Sequence, residues 1–296
     1  MNFRVLAAAL LLGASAFAHA DSLRFCDSQK EPNAAEQDAL LRFSAIIKGE
    51  LENSGNDLAL VSRSGLRLDR IGQRYSHAGI SLMASANGPW SVRQLYYACD
   101  EKKPRIFDQG MAGFVLGTSD VEQAYVSLVF LPAEADAALA QAALDGRRSL
   151  ALLGASYSAN AYPFSVDYQN CNQWVAEMLA LAWDDPAEAG SREQAQRWLQ
   201  AERYVPTTIQ LGPLMLLGLF VPWVHNGGHP SADTGAGRYR VSMPASLEHF
   251  VHERYPQAKR VELCRNGSRV VIHRGWDAIA DGCVARADDE QLTLAP

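Results

Sequence analysis

Two β-favouring runs, residues 75–83 (YSHAGISLM) and 90–98 (WSVRQLYYA), are separated only by ASANGP. That link is a turn signal and is too short to hold a crossover helix, so the two runs are expected to be antiparallel neighbours. Further strands are predicted at 58–63 (LALVSR) and at 123–131 (QAYVSLVFL), the latter stopped by Pro132. A helix is predicted before them, over 33–52, where Leu40, Leu41, Phe43, Ile46, Ile47 and Leu51 recur at helical spacing. Asn33 and Glu36 are placed to form its capping box. The order helix, strands, helices, hairpin points to an α+β fold rather than a βαβ series.

Helices are also predicted at 133–152, 171–183, 191–202 and 246–254. Asn266-Gly267 between two β-rich runs signals a hairpin. The apolar segment 209–224 carries Gly212, Pro213, Gly218 and Pro222. It is too short and too broken to span a membrane, and a buried loop plus helix is the default. Residues 225–237 (HNGGHPSADTGAG) read as a mobile surface loop. A boundary near residue 205 divides a main domain, 21–205, from a C-terminal extension, 206–296.

Residues 1–20 have the form of an export signal: Arg4, then an apolar core from Val5 to Phe17, then Ala18-His19-Ala20 as a small-x-small cleavage pattern. The expected mature protein is periplasmic or secreted, without a membrane span. A net charge of −6 disfavours binding to nucleic acid or anionic lipid through bulk charge. In an oxidising compartment cysteines tend to pair, and the five here leave at least one over. Cys264 with Cys283 and Cys26 with Cys99 are the expected bridges. All five staying reduced, or an odd cysteine pairing between chains, are the alternatives.

Cys171 opens the predicted helix 171–183 and His77 lies on a predicted strand. A cysteine at the first turn of a helix feels the positive end of the macrodipole, which favours the thiolate. A nearby imidazole can take and return its proton, and backbone N–H groups at the helix start can stabilise an oxyanion. The same residues have an ordinary structural reading, since buried cysteines mostly behave as small hydrophobes.

The blocks Ser76-His77-Ala78-Gly79-Ile80 and Asn170-Cys171-Asn172-Gln173-Trp174-Val175 carry a resemblance. The first resembles the histidine strand of NlpC-type papain-like enzymes. The second resembles the nucleophile block of their circularly permuted branch, which includes the lecithin–retinol acyltransferase group and in which histidine precedes cysteine. The chain also looks like an exported bacterial family of unknown function with a Tyr-Gln-Asn-Cys-Asn-Gln-Trp block. The resemblance covers about residues 55–185. It implies a permuted papain-like core, an antiparallel sheet packed on helices, with the C-terminal helix and β-hairpin added. It also implies Cys171 as nucleophile and His77 as base. The family often places a second histidine about a dozen residues on, where this chain has Pro89. Ser91, Arg93, Gln94, Tyr96 and Tyr97 are the polar residues of the following strand, and Gln94 is the expected orienting group. Tyr168, Gln169 and Asn170 are possible oxyanion contacts, with loop hydrogen bonding as the plainer reading.

No cofactor or metal is expected. His225 and His229 are surrounded by Gly227, Gly228 and Pro230, and His249 and His252 stand without the cysteines or histidines of a metal quartet. Phosphate-binding glycine loops are absent. The leading expectation is an exported thiol hydrolase or acyltransferase acting on an envelope amide or ester, in a peptide, peptidoglycan or a lipid acyl group. The alternative is a non-catalytic envelope protein that uses the same fold for binding.

Overall fold

The computed structural model describes residues 32–184, 190–211 and 223–294. Its first helix, α1 (Ala34–Glu52), starts at the expected capping box, with Asn33 and Glu36 each accepting the other's backbone N–H at 3.0 and 2.7 Å. The strands are β1 (Leu58–Arg63), β2 (His77–Leu82), β3 (Ser91–Ala98), β4 (Lys103–Gln109) and β5 (Gln123–Phe130). After the helices come β6 (Thr207–Gln210) and β7 (Arg238–Val241), then β8 (Lys259–Asn266), β9 (Arg269–Arg274) and β10 (Glu290–Thr293).

Eight of them form one antiparallel sheet in the order β10-β9-β8-β5-β1-β2-β3-β4, while β6 and β7 make a separate ribbon. The fold is mixed α+β with a large antiparallel sheet packed on helices. The sheet is covered on both sides. One face packs on α1 and on α2 (Met111–Leu116) through Phe43, Ile47, Val61, Phe114, Val126 and Leu263. The other packs on α3 (Ala133–Leu144), α5 (Cys171–Trp183) and α8 (Pro244–Arg254) through Leu60, Ile80, Leu95, Trp174, Met178 and Val251. Successive residues of a strand point to opposite faces, so Leu60 and Val61 enter different cores. That explains why β1 reads as an apolar run instead of alternating.

Several expectations change. The single helix over 133–152 is two, because Asp145 has extended backbone and its carboxylate caps α4 (Gly146–Ala151) by accepting from the N–H of Arg147 and Arg148. Residues 225–237, expected as a mobile surface loop, contain the short helix α7 (Ser231–Gly235) and are tied down: His225 N–H donates to Ser158 Oγ, and Asp233 holds Arg238 and Arg240. The hairpin β8–β9 is not an appendage either, because β8 pairs with β5 along its whole length. The Cys264–Cys283 disulfide links that hairpin to the tail. Cys99 is disulfide-bonded, and Cys26, its expected partner, lies outside the described residues, as do the export signal and most of the apolar segment 209–224.

Candidate active site

His77 opens β2, directly across from Arg63 of β1. It is 4% exposed and its ring stacks on Tyr96 at 4.4 Å, with Phe114 tilted against it at 5.9 Å. Its Nε2 lies 2.8 Å from Gln94 Oε1, and Gln94 Nε2 donates to Gln109 Oε1 at 2.9 Å. Gln94 thus bridges the imidazole and Gln109. With Nε2 engaged by Gln94, Nδ1 is the ring nitrogen left for proton transfer. Gly79 makes this approach possible. A Cβ there would stand 2.5 Å from Val92 Cγ1 and 3.2 Å from Gln94 Cβ.

Burial, and after it the charge of Arg63, push the His77 pKa down to about 3, against the opposing hydrogen bond to Gln94. Arg63 itself is buried, donating to Tyr96 Oη at 2.8 Å and to the Gly117 carbonyl, with its guanidinium over the Phe114 ring. At neutral pH the imidazole is thus uncharged.

Cys171 is the first residue of α5, 7% exposed and outside any disulfide. Asn170 caps the helix by accepting from Gln173 N–H at 2.7 Å. Asn172 Nδ2 donates to the Ser76 carbonyl at 3.2 Å, so the residue after the cysteine is tied to the residue before the histidine. Behind the helix start, fully buried Glu177 pairs with Arg192 and accepts from Gln169, Gln173 and Gln196. Burial raises the pKa of Glu177 despite Arg192. Arg192 also donates to the carbonyls of Val166 and Tyr168, which fixes the loop leading into Cys171.

Two of the three oxyanion candidates spend their side-chain donors elsewhere, and the third is held by ring stacking. Gln169 bonds Leu152 O, Gly154 N–H and Glu177; Asn170 bonds Ala159 O and Ser242 O; Tyr168 stacks on His225 at 4.7 Å.

Cys171 and His77 line one cavity of about 200 Å³. Its walls are mostly apolar: Leu66, Leu68 and Leu95, the stacked pair Tyr97 and Tyr157, Ile209 and Val241 from the ribbon that follows residue 205, and Met243 at the start of α8. A larger cleft of about 900 Å³ lies on the far side of Leu66 and Leu68 and is lined by Arg74, Tyr75, Glu248, Arg260, Glu262 and His252. It holds neither Cys171 nor His77. Among the described residues no group of three or more His, Cys, Asp or Glu is placed to hold a metal ion. His252 instead stacks on Trp276 at 3.9 Å, and His229 Nε2 donates to the Asn160 carbonyl at 2.6 Å.

Two members of this site were not singled out from sequence. Arg63 had a signal, an arginine ending the apolar run LALVS; Asn160, which also lines the small cavity, had none.

Residues 50–251, more than half of the chain, match the family described as an uncharacterized protein conserved in bacteria, DUF2145. The chain belongs to that family. No curated protein and no solved structure matches it.

Proposed function

We propose that this member of the DUF2145 family is an exported thiol hydrolase or acyltransferase, built on a permuted papain-like core, that acts on an amide or ester of the cell envelope. One observation carries the reading. A cysteine at a helix N-terminus and a histidine oriented by Gln94 share the wall of one apolar cavity.

The chemistry follows from the geometry. His77 Nδ1 takes the thiol proton as Sγ adds to the substrate carbonyl carbon. The tetrahedral intermediate collapses, and the imidazolium returns the proton to the departing amine or alcohol. The acyl group now rests on Sγ. Water, or a second alcohol or amine, gives a proton to Nδ1 and takes the acyl group, completing hydrolysis or transfer. The positive end of α5 favours the developing thiolate, while Gln94 Oε1 favours the transient imidazolium. The apolar wall suits an acyl chain or an apolar side chain beside the carbonyl. The leader-like residues 1–20 and the Cys264–Cys283 disulfide support export, and among the described residues no helix is long and apolar enough to cross a membrane.

A second reading, a binding protein that has kept the fold without turnover, is favoured by one feature: Arg63 and burial both oppose protonation of His77. Alkylation of Cys171 by iodoacetamide from pH 4 to 9, followed by mass spectrometry, separates the two. An activated thiol labels with an apparent pKa well below the ordinary thiol value of about 8.5, and the profile moves in His77→Ala. Turnover of activated esters is then lost in Cys171→Ala by at least about 10³-fold, with folding retained. An ordinary labelling profile, or retained turnover in Cys171→Ala, refutes the enzyme reading.

A further inference from the structure

We infer that Asn160 is a further catalytic residue, whose side-chain amide stabilises the oxyanion formed when Cys171 attacks; the inference rests on the thiol-acyl chemistry proposed above. Asn160 lines the cavity that contains Cys171 and His77. Its Oδ1 accepts from Ser158 Oγ at 2.6 Å and from His225 N–H at 3.3 Å. A flipped amide would set its own N–H₂ against the His225 N–H, which can only donate, so the orientation is determined. Nδ2 is thereby left buried without a hydrogen-bond partner. Buried donors are nearly always satisfied, and one left open in the wall of a reactive cavity needs an acceptor that arrives with the substrate.

The position is held firmly. The Ala159 carbonyl, one residue earlier, accepts from Asn170 Nδ2 at 3.2 Å, which ties this loop to the cap of the helix that Cys171 opens. The Asn160 carbonyl accepts from His229. Gln169 Nε2 spends both N–H groups on Leu152 and Glu177, Asn170 Nδ2 both on Ala159 and Ser242, and Asn172 Nδ2 spends one on Ser76.

In the step itself, Sγ forms a bond to the carbonyl carbon and the C=O π pair moves onto oxygen. Asn160 Nδ2–H and the backbone N–H groups of the first turn of α5 donate to that oxygen without giving up a proton. The pair returns as the leaving group departs with the proton from His77.

The test is a rapid-mixing measurement of Cys171 acylation by p-nitrophenyl butyrate, read as the nitrophenolate burst and the acyl mass adduct, beside the rate of iodoacetamide alkylation. Alkylation is a displacement at carbon that builds no oxyanion. Asn160→Asp keeps the Oδ1 that anchors Ser158 and His225 and loses the donor; Asn160→Ala loses both. The expected result is acylation slowed by about 10²–10³-fold in both variants, with alkylation within about twofold of wild type. Acylation at the wild-type rate overturns the inference while leaving the thiol chemistry standing. A parallel fall in alkylation also overturns it, because the role is then structural. Failure of the wild-type protein to acylate overturns both the inference and the reading it rests on.

Discussion

The two cavities on either side of Leu66 and Leu68 are built on opposite terms. The larger, of about 900 Å³, holds a cluster of charged groups that answer one another. Glu262 accepts from Tyr75 and from Arg74 Nη1 at 2.9 Å on one oxygen, takes the Ile279 N–H at 2.6 Å on the other, and lies against Arg260, which also pairs with Glu248 at 2.9 Å. The smaller, of about 200 Å³, is mostly apolar and gathers Cys171, His77 and Asn160, whose Nδ2 has no partner among the described residues. Volume alone points to the first cavity. The thiol, the imidazole and an unpartnered amide donor all lie in the second.

If that contrast is right, damage to the two cavities should register in different measurements. The largest effect is expected from Glu262→Leu. It strips one of two carboxylates from Arg260 and from Arg74 and leaves the Tyr75 hydroxyl and the Ile279 N–H buried without their acceptor, a loss of about 3–5 kcal/mol in stability by urea unfolding. Thiol reactivity per folded molecule should stay near wild type. A large loss of Cys171 reactivity at full folding would mean that the two cavities act as one. Next comes Gln94→Leu, which removes the partner of His77 Nε2. Cys171 acylation should slow by about 10²-fold, with unfolding free energy changed by only about 1–2 kcal/mol, as stopped-flow and urea titrations would measure.

The most gradual effect is a pH slope. The native His77 pKa of about 3 lies below its ordinary value of 6.5, so between these values the unfolded chain binds a proton that the native protein refuses. Above about pH 6.5 the residue contributes no penalty. As pH falls toward 3, wild type should lose stability faster than His77→Gln, by up to about 1.4 kcal/mol per pH unit. Unfolding of both proteins at pH 7, 6 and 5 would measure it, and parallel curves would mean that His77 is readily protonated where it sits.

Much of the scaffold around Cys171 is written locally. The helix from Cys171 to Trp183 and the strand from Leu58 to Arg63 begin and end where periodicity and apolar runs place them, and Asn33 and Glu36 announce their capping box. The adjacency of His77 and Gln94 is legible too, because ASANGP makes their strands neighbours. Strand β4 was missed because KPRIFDQ is an edge strand, half-exposed, with Pro104 and charges breaking any alternation. The ribbon of β6 and β7 was missed because each strand has only four residues, and they pair across a long intervening segment. Asn160 could not be read at all. What makes its amide available is how Ser158 and His225 use its oxygen, and His225 is 65 residues away in the chain.

The pairing of β5 with β8 has a consequence for how the protein is made. Residues Gln123–Phe130 form the middle of the sheet, but half of their hydrogen bonds wait for a strand that begins at Lys259. As the chain is made N-terminus first, that apolar edge stays unpaired until its final portion emerges. Such long-range closure slows folding and leaves a strand able to pair with other chains. Any shortened form ending before Lys259 would keep that edge open for good and be drawn toward aggregation.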